Sequence, residues 1–380
     1  MTAPLGPKIA PWPEDLLSAP FADGARPGLL DALEPLMSAP EPGRDVLVLL
    51  DGVGADLLAE HRALTPTLRR LEGETARVRT VAPSTTATAM VSLHTGLPPL
   101  QHGVLGYLTH DPEHGQPLNQ LIGDPDVVPE QWMPEPGLGE RTRRRAVQVA
   151  PGKHAGSHLS RVAYRGWEFL AHGRGDRVEA VRTALHRVGP DGLVHLHVDD
   201  VDHAGHRFGV DSDPWRTALA EVDSLLGTML RRLPAGTRIH VTADHGMVDT
   251  SPELTVDLTE HPSLQRLAAV VAGEARALAL TAVSGQGAAE ELAHGLDELM
   301  GERALVLSRQ QLLGSALLGP AGMAVPARVR DRIPDVLVLG RGCWTVDDFS
   351  RRPESARQMV GVHGSLTSAE AWVPLLRTQV

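Results

Sequence analysis

Short apolar runs alternate with stretches of helical period along most of the chain. Asp45–Leu50, Arg77–Ala82, Gly192–Val198, Thr237–Thr242 and Asp335–Leu339 read as buried strands. Between them, Ala55–Leu71, Ala87–Leu93, Arg177–Val188 and Trp215–Leu233 place apolar residues at helical spacing, and Pro27–Met37 is a further helical piece. Such alternation predicts an α/β protein: a mostly parallel sheet with helices on both faces. Residues 1–40, rich in Pro and Ala, are expected to wrap the surface. Residues 41–250 and 334–380 are expected to form the α/β core, with Asp335–Leu339 returning to its sheet. Residues 251–333 break the rhythm and read as an inserted cap or lid.

Each of the first four strands is followed by a polar cluster: Asp51, then Pro83-Ser84-Thr85-Thr86, then Asp199-Asp200-Val201-Asp202, then Asp244-His245-Gly246. Ligands of open α/β sheets bind at the carboxyl ends of strands. Four clusters there point to one site. Read singly, each has a plainer alternative. Asp51, before Gly52-Val53-Gly54, could cap the next helix. Thr85 and Thr86 could cap theirs, although a hydroxyl at a helix N-terminus also suits phosphate. Asp202 and His206, four apart, share one helical face and can reach one metal, with His203 and His206 as the competing pair. Asp244 and His245 could form a buried hydrogen bond, and both reach one ion only if the chain turns at Gly246.

Taken together with His363, these residues supply two metal groups. Asp202, His206 and His363 form one; Asp51, Asp244 and His245 form the other, with Thr86 bridging toward a metal. Two divalent ions against three carboxylates leave about one positive charge for an anionic substrate, and paired ions serve in-line displacement at phosphorus. His and carboxylate without thiolate suit Zn2+ best, with Mn2+ the second choice.

Composition narrows the classes further. A net charge of −11 argues against binding nucleic-acid polymers or anionic membranes. The basic run Arg141–Arg145 reads as a solvated surface stretch without a function. Cys343 is the single cysteine, which leaves no internal disulfide or Cys-rich zinc module. The start of the chain, through Pro4, Pro7, Pro11 and Pro13, lacks an apolar signal core, so the expected location is cytoplasmic.

The ordered motifs resemble the alkaline phosphatase superfamily, in particular its nucleotide pyrophosphatase/phosphodiesterase branch. The resemblance is carried by Val48-Leu-Leu-Asp51-Gly, Pro83-Ser-Thr-Thr86, His94-Thr-Gly-Leu-Pro98, His102-Gly103, Asp202-x-x-Gly205-His206, Thr242-Ala-Asp244-His245-Gly246-Met247 and Gly361-Val-His363-Gly364. It implies an α/β/α sandwich, a two-zinc site and a covalent phospho-threonine intermediate. By position before Thr95-Gly96 the resemblance makes Thr86 the nucleophile, with Thr85 the fallback.

Two departures bear on the substrate. The branch's Phe-Pro-Asn segment is replaced by Ala87-Thr88-Ala89, which puts a nucleotide substrate in doubt. Its phosphoryl-holding Asn is replaced by Tyr107, either a hydroxyl donor to substrate or a packing residue. The sulfatase Cys/Ser-x-Pro-x-Arg setting is absent, and no cation to balance a phosphate dianion is evident near Thr86. The expected activity is hydrolysis of a small anionic phosphodiester or pyrophosphate. Phosphomonoester or phosphonate hydrolysis, and a non-catalytic metal-binding homologue, are the alternatives.

Overall fold

The computed structural model describes residues 12–38, 42–71 and 76–380; the earliest prolines, Pro4, Pro7 and Pro11, lie outside them. Seven strands form the main sheet, in the spatial order Ala76–Arg79, Trp372–Gln379, Arg238–Thr242, Asp45–Leu50, Leu193–Val198, Ala146–Pro151, Glu168–His172. The last five named are mutually parallel, and Trp372–Gln379 runs antiparallel between its two neighbours. Asp45–Leu50 sits at the centre and is buried throughout, as a strand covered on both faces must be. Helix Arg177–Val188 packs on one side of the strands, and Leu30–Met37 packs on helix Thr86–Thr95, completing an α/β/α sandwich. Residues 12–38 do more than lie on the surface: Leu29, Leu30 and Leu33 are fully buried in the main core.

The predicted helix Ala55–Leu71 is two helices, Ala55–Glu60 and Pro66–Leu71. Pro66 has no N–H to continue the first but suits the start of the second. The Asp223 carboxylate then accepts from the Thr67 and Leu68 N–H groups at 2.8–3.0 Å.

The Asp335–Leu339 run does not return to the main sheet. As Val336–Gly340 it lies in a second, antiparallel sheet with Ala268–Glu274, Ala277–Ala282 and Ala304–Ser308. With helix Ala288–Met300 this sheet buries its own core of Val271, Leu278, Leu280, Leu292, Leu296 and Val338. An apolar run fixes burial but not which sheet receives it. The C-terminal strand of the main sheet is instead Trp372–Gln379, which carries Pro374 within it and which the apolar pattern does not single out.

The basic run is divided: Arg141, Arg143 and Arg145 are exposed, as a solvated stretch would be, whereas Arg144 is a fastening. Arg144 donates to Asp45 Oδ2 at 2.8 Å and to the carbonyls of Leu36, Gly43, Asp191 and Gly192. Arg141 donates to Thr95 O, a carbonyl at the C-terminus of its helix. Arg238 and His240 also bind Asp45, which sits at the end of the central strand opposite Asp51. Burial raises the Asp45 pKa, but these three partners more than offset it and hold the carboxyl far below the usual range.

The second sheet is tied to the C-terminal segment by a fully buried pair. Arg276 donates through Nε and Nη2 to Glu370 at 3.0 and 2.6 Å, and Glu370 also accepts from Ser365 N and the Thr367 hydroxyl. Removing one partner strands the other charge, so Arg276→Ala is expected to cost about 3–5 kcal/mol in urea unfolding. A double replacement by apolar residues, Arg276→Met with Glu370→Leu, is expected to cost less than the single change. An exposed-pair value below about 1 kcal/mol for Arg276→Ala would contradict this account.

Candidate metal and phosphoryl-transfer site

The site lies at the carboxyl ends of the central strands. Asp51 follows Leu50, and its N–H donates to Val198 O at 2.9 Å. The next residue, Gly52, has φ of +72°, and a Cβ there would sit 3.1 Å from Asp202 Cβ. A glycine therefore permits both the left-handed turn and the approach of the helix carrying Asp202. That helix, Asp200–Phe208, presents Asp202 and His206 on one face, with Oδ1 and Nε2 3.2 Å apart. His203 points elsewhere: it is exposed and donates to Asp199 O at 2.7 Å, so the competing pair His203 and His206 is not assembled.

Thr86 opens the buried helix Thr86–Thr95, which ends in a left-handed cap at Gly96. Its Oγ1 stands 3.1 Å from His245 Nε2 and 3.5 Å from Asp51 Oδ1. Thr85 is the N-cap by position, yet its hydroxyl caps no helical N–H. Past strand Arg238–Thr242 the chain turns, and Asp244 Oδ1 accepts from Gly52 N and His245 N at 3.3 and 3.0 Å. Its Oδ2, 3.5 Å from His245 Nε2, is buried without a hydrogen-bond partner, as is Asp202 Oδ1. His363 arrives from the far end of the chain and stacks on His245, ring centroids 3.6 Å apart.

The three histidines share one device. His206 Nδ1 donates to Gly361 O, His245 Nδ1 to Gly246 O and His363 Nδ1 to Ser84 O, at 2.8, 2.9 and 3.0 Å. Each Nε2 is thereby left as a lone-pair donor for the site, the tautomer a ligating imidazole needs. Burial, with His245 and His206 beside it, keeps His363 neutral by pushing its pKa well down. Burial and the charges of Asp244, Asp202 and Asp199 push the Asp51 carboxyl well up. Donor atoms of Asp202, His206 and His363 lie within 4.8 Å of one another, and so do those of Asp51, Asp202 and His245. Asp202 thus lies within reach of both groups, while Asp244, expected beside Asp51 and His245, approaches that group through its Oδ2, 3.5 Å from His245 Nε2. Clustered buried carboxylates with orphaned oxygens, facing inward-turned imidazoles, fit divalent cations by donor chemistry and by their unmet need for positive charge.

Other residues complete the surroundings. The Tyr107 hydroxyl accepts from Asn119 Nδ2 at 2.6 Å, which places its ring against a hairpin strand, Gln116–Asn119. His197 was not singled out by motif: its Nε2 meets Asp51 Oδ2 at 2.9 Å. Strand register explains this, because His197 pairs with Leu49, and Asp51 lies two residues on, on the same side. Cys343 is a free thiol, and no described helix is long and apolar enough to cross a membrane.

The fold is shared with solved structures. Murine ectonucleotide pyrophosphatase/phosphodiesterase 5, solved as an inactive threonine-to-alanine variant with AMP, is 18% identical with a TM-score of 0.67, over 88% of this chain and 87% of that one. The human protein of the same name is 17% identical with a TM-score of 0.67, over 89% of this chain and 87% of that one. A comparison with curated proteins finds no match. The family model described as type I phosphodiesterase / nucleotide pyrophosphatase matches residues 46–366, a span that takes in every residue of the cluster. The chain therefore belongs to the type I phosphodiesterase/nucleotide pyrophosphatase family.

Proposed function

We propose that the chain is a two-metal hydrolase of a small phosphodiester or pyrophosphate, with Thr86 as nucleophile. The observation that carries this reading is the Thr86 hydroxyl, set at a helix N-terminus and within 3.1–3.5 Å of His245 and Asp51. Asp202, His206 and His363 would hold one ion; Asp51, Asp244, His245 and Thr86 would hold the other. Divalent ions bound there, Zn2+ by ligand type, supply Lewis-acid stabilisation for the entering and departing oxygens.

The chain's own residues orient the rest. Thr86 Oγ bonds to phosphorus as the bond to the departing group breaks, and its proton is lost to solvent. Water then splits the P–Oγ bond, its hydroxide adding to phosphorus and its proton returning to Thr86. The first turn of helix Thr86–Thr95, to which the Thr85 side chain gives no cap, would offer its N–H groups to phosphoryl oxygens. His197 holds Asp51 in place through Oδ2.

Ala87, Thr88 and Ala89 are completely buried, so that stretch offers a nucleobase no surface. The organic group of the substrate must be read elsewhere, and the second sheet unit is the proposed lid. AMP, present in the murine structure, is the first competing ligand to try. Zinc-loaded protein is expected to hydrolyse bis-p-nitrophenyl phosphate faster than p-nitrophenyl phosphate, and chelation to stop both. A larger rate on the monoester would move the assignment to a phosphomonoesterase. Failure of the zinc-loaded protein on both esters and on dinucleoside pyrophosphates would overturn the reading.

A further inference from the structure

Gly205, Met247 and Gly361 belong to the sequence motifs, yet the chemistry above makes no use of the thioether or of the two missing side chains. Each lies beside a ligand-bearing stretch: Gly205 immediately precedes His206, Met247 follows His245 by two residues, and Gly361 precedes His363 by two. Gly205 is inside helix Asp200–Phe208, where glycine weakens the helix. Neither glycine has the left-handed φ that would call for one. Contact is what excludes a side chain at both places. A Cβ on Gly205 would overlap Met247 Sδ, and a Cβ on Gly361 would overlap the same sulfur. Met247 is 1% exposed, so its sulfur fills a slot walled by two bare backbones and has no solvent side to retreat to.

The three segments that meet at this sulfur are also tied by hydrogen bonds. His206 Nδ1 donates to Gly361 O at 2.8 Å, and Val360 N donates to His206 O at 2.9 Å. Val248, the residue after Met247, pairs with Val362 in a short antiparallel ladder that also pairs Asp249 with Gly361. These bonds fix the register of the ladder, while the atom packed against both glycines fixes how far the helix stands from it.

We propose that Met247 is a positioning residue for the metal centre: its sulfur spaces the helix carrying Asp202 and His206 from the segment leading to His363, and so sets the separation of their donor atoms. This rests on those residues being metal ligands. The two glycines predict different behaviour. Beyond Met247 itself, the nearest atom to a Cβ on Gly205 is Trp215 Cδ1 at 3.4 Å, an ordinary contact. A methyl group at 205 therefore takes the place of the sulfur once Met247 is shortened. A Cβ on Gly361 would still stand 2.6 Å from Gly205 O, a backbone atom that no side-chain change removes.

The test titrates full-length protein with Zn2+ against a chromogenic chelator and reads the Co2+ form by visible absorption, which follows ligand geometry. Met247→Ala and Gly205→Ala are each expected to weaken zinc binding by about 10–100-fold and to alter the cobalt spectrum. Gly205→Ala combined with Met247→Ala is expected to bind zinc more tightly than either single variant, and Met247→Leu, close in volume, to match wild type. Gly361→Ala is expected to gain nothing from Met247→Ala. Losses that add in the double variant would overturn the proposal. So would single variants with a lower Tm but wild-type zinc affinity and cobalt spectrum, which would make Met247 core filling. If wild type itself binds no zinc, the metal reading falls, and amide exchange of residues 202–206 and 361–364 decides the spacing alone. Exchange that rises in each single variant and recovers in the double one supports Met247 as the spacer; exchange that stays high in the double one dismisses it.

Discussion

Thr86→Ala is expected to lower kcat of the zinc-loaded enzyme by at least about 10⁴-fold, since removal of a nucleophile leaves only what binding and electrostatics supply. Thr86→Ser, which keeps the hydroxyl, is expected to retain a measurable rate. Thr85→Ala is expected to lose about 10–100-fold, because Thr85 acts through the turn rather than at phosphorus. The contrast follows from where the two hydroxyls go. Thr86 Oγ1 meets His245 and Asp51, whereas the Thr85 side chain is buried and caps no helical N–H. A diester with a good leaving group adds a second check. If phosphorylation outruns hydrolysis of the intermediate, p-nitrophenol appears in a burst stoichiometric with enzyme, and peptide mass spectrometry of acid-quenched protein finds phosphate on Thr86. Wild-type turnover by Thr86→Ala, or phosphate on Thr85 instead, would dismiss the assignment.

The parts of this site that were legible in the sequence share a physical reason. Asp51, Asp202 and His245 each follow a buried strand closely, and Thr86 follows the edge strand Ala76–Arg79 through the Pro83–Thr85 turn, so chain order sends them to one end of the sheet. The structure brings them together with His206 and His363. What stayed hidden depends on partners distant in the chain. Arg144 looked like surface charge because the carbonyls it gathers come from Leu36, Gly43, Asp191 and Gly192. His197 lies in an apolar run, and only the register against Leu49 turns it toward Asp51. The Asp335–Leu339 run would be equally buried in either sheet, and only its pairing with Ala277–Ala282 and Ala304–Ser308 defines the second one. In each case local pattern reports burial or exposure, and the function of the residue comes from the topology.

Metal removal is expected to have the second large effect, on stability as well as rate. Asp51, Asp202 and Asp244 are buried together, and Asp202 Oδ1 and Asp244 Oδ2 lack hydrogen-bond partners. Without cations these carboxylates repel one another, and the cost appears as the raised Asp51 pKa. The sign follows: the metal-free folded state holds a proton that the unfolded chain gives up near pH 4. Its stability therefore falls as pH rises from there toward the folded pKa. Zinc requires the deprotonated ligand, so the stabilisation it provides grows over the same range. At a hundredfold excess over Kd, each site is expected to add about 2.7 kcal/mol, read as a rise in Tm that a chelator reverses together with all hydrolysis. Asp244→Asn separates this account from simple packing. Its Oδ1 can still accept from Gly52 N and His245 N, while the orphaned Oδ2 is replaced by an uncharged amide. The variant is expected to be more stable than wild type without metal and to gain less from zinc, so the two Tm-versus-zinc curves cross. Parallel curves, or a metal-free variant less stable than wild type, would show that the cluster is held by its hydrogen bonds and not by cations.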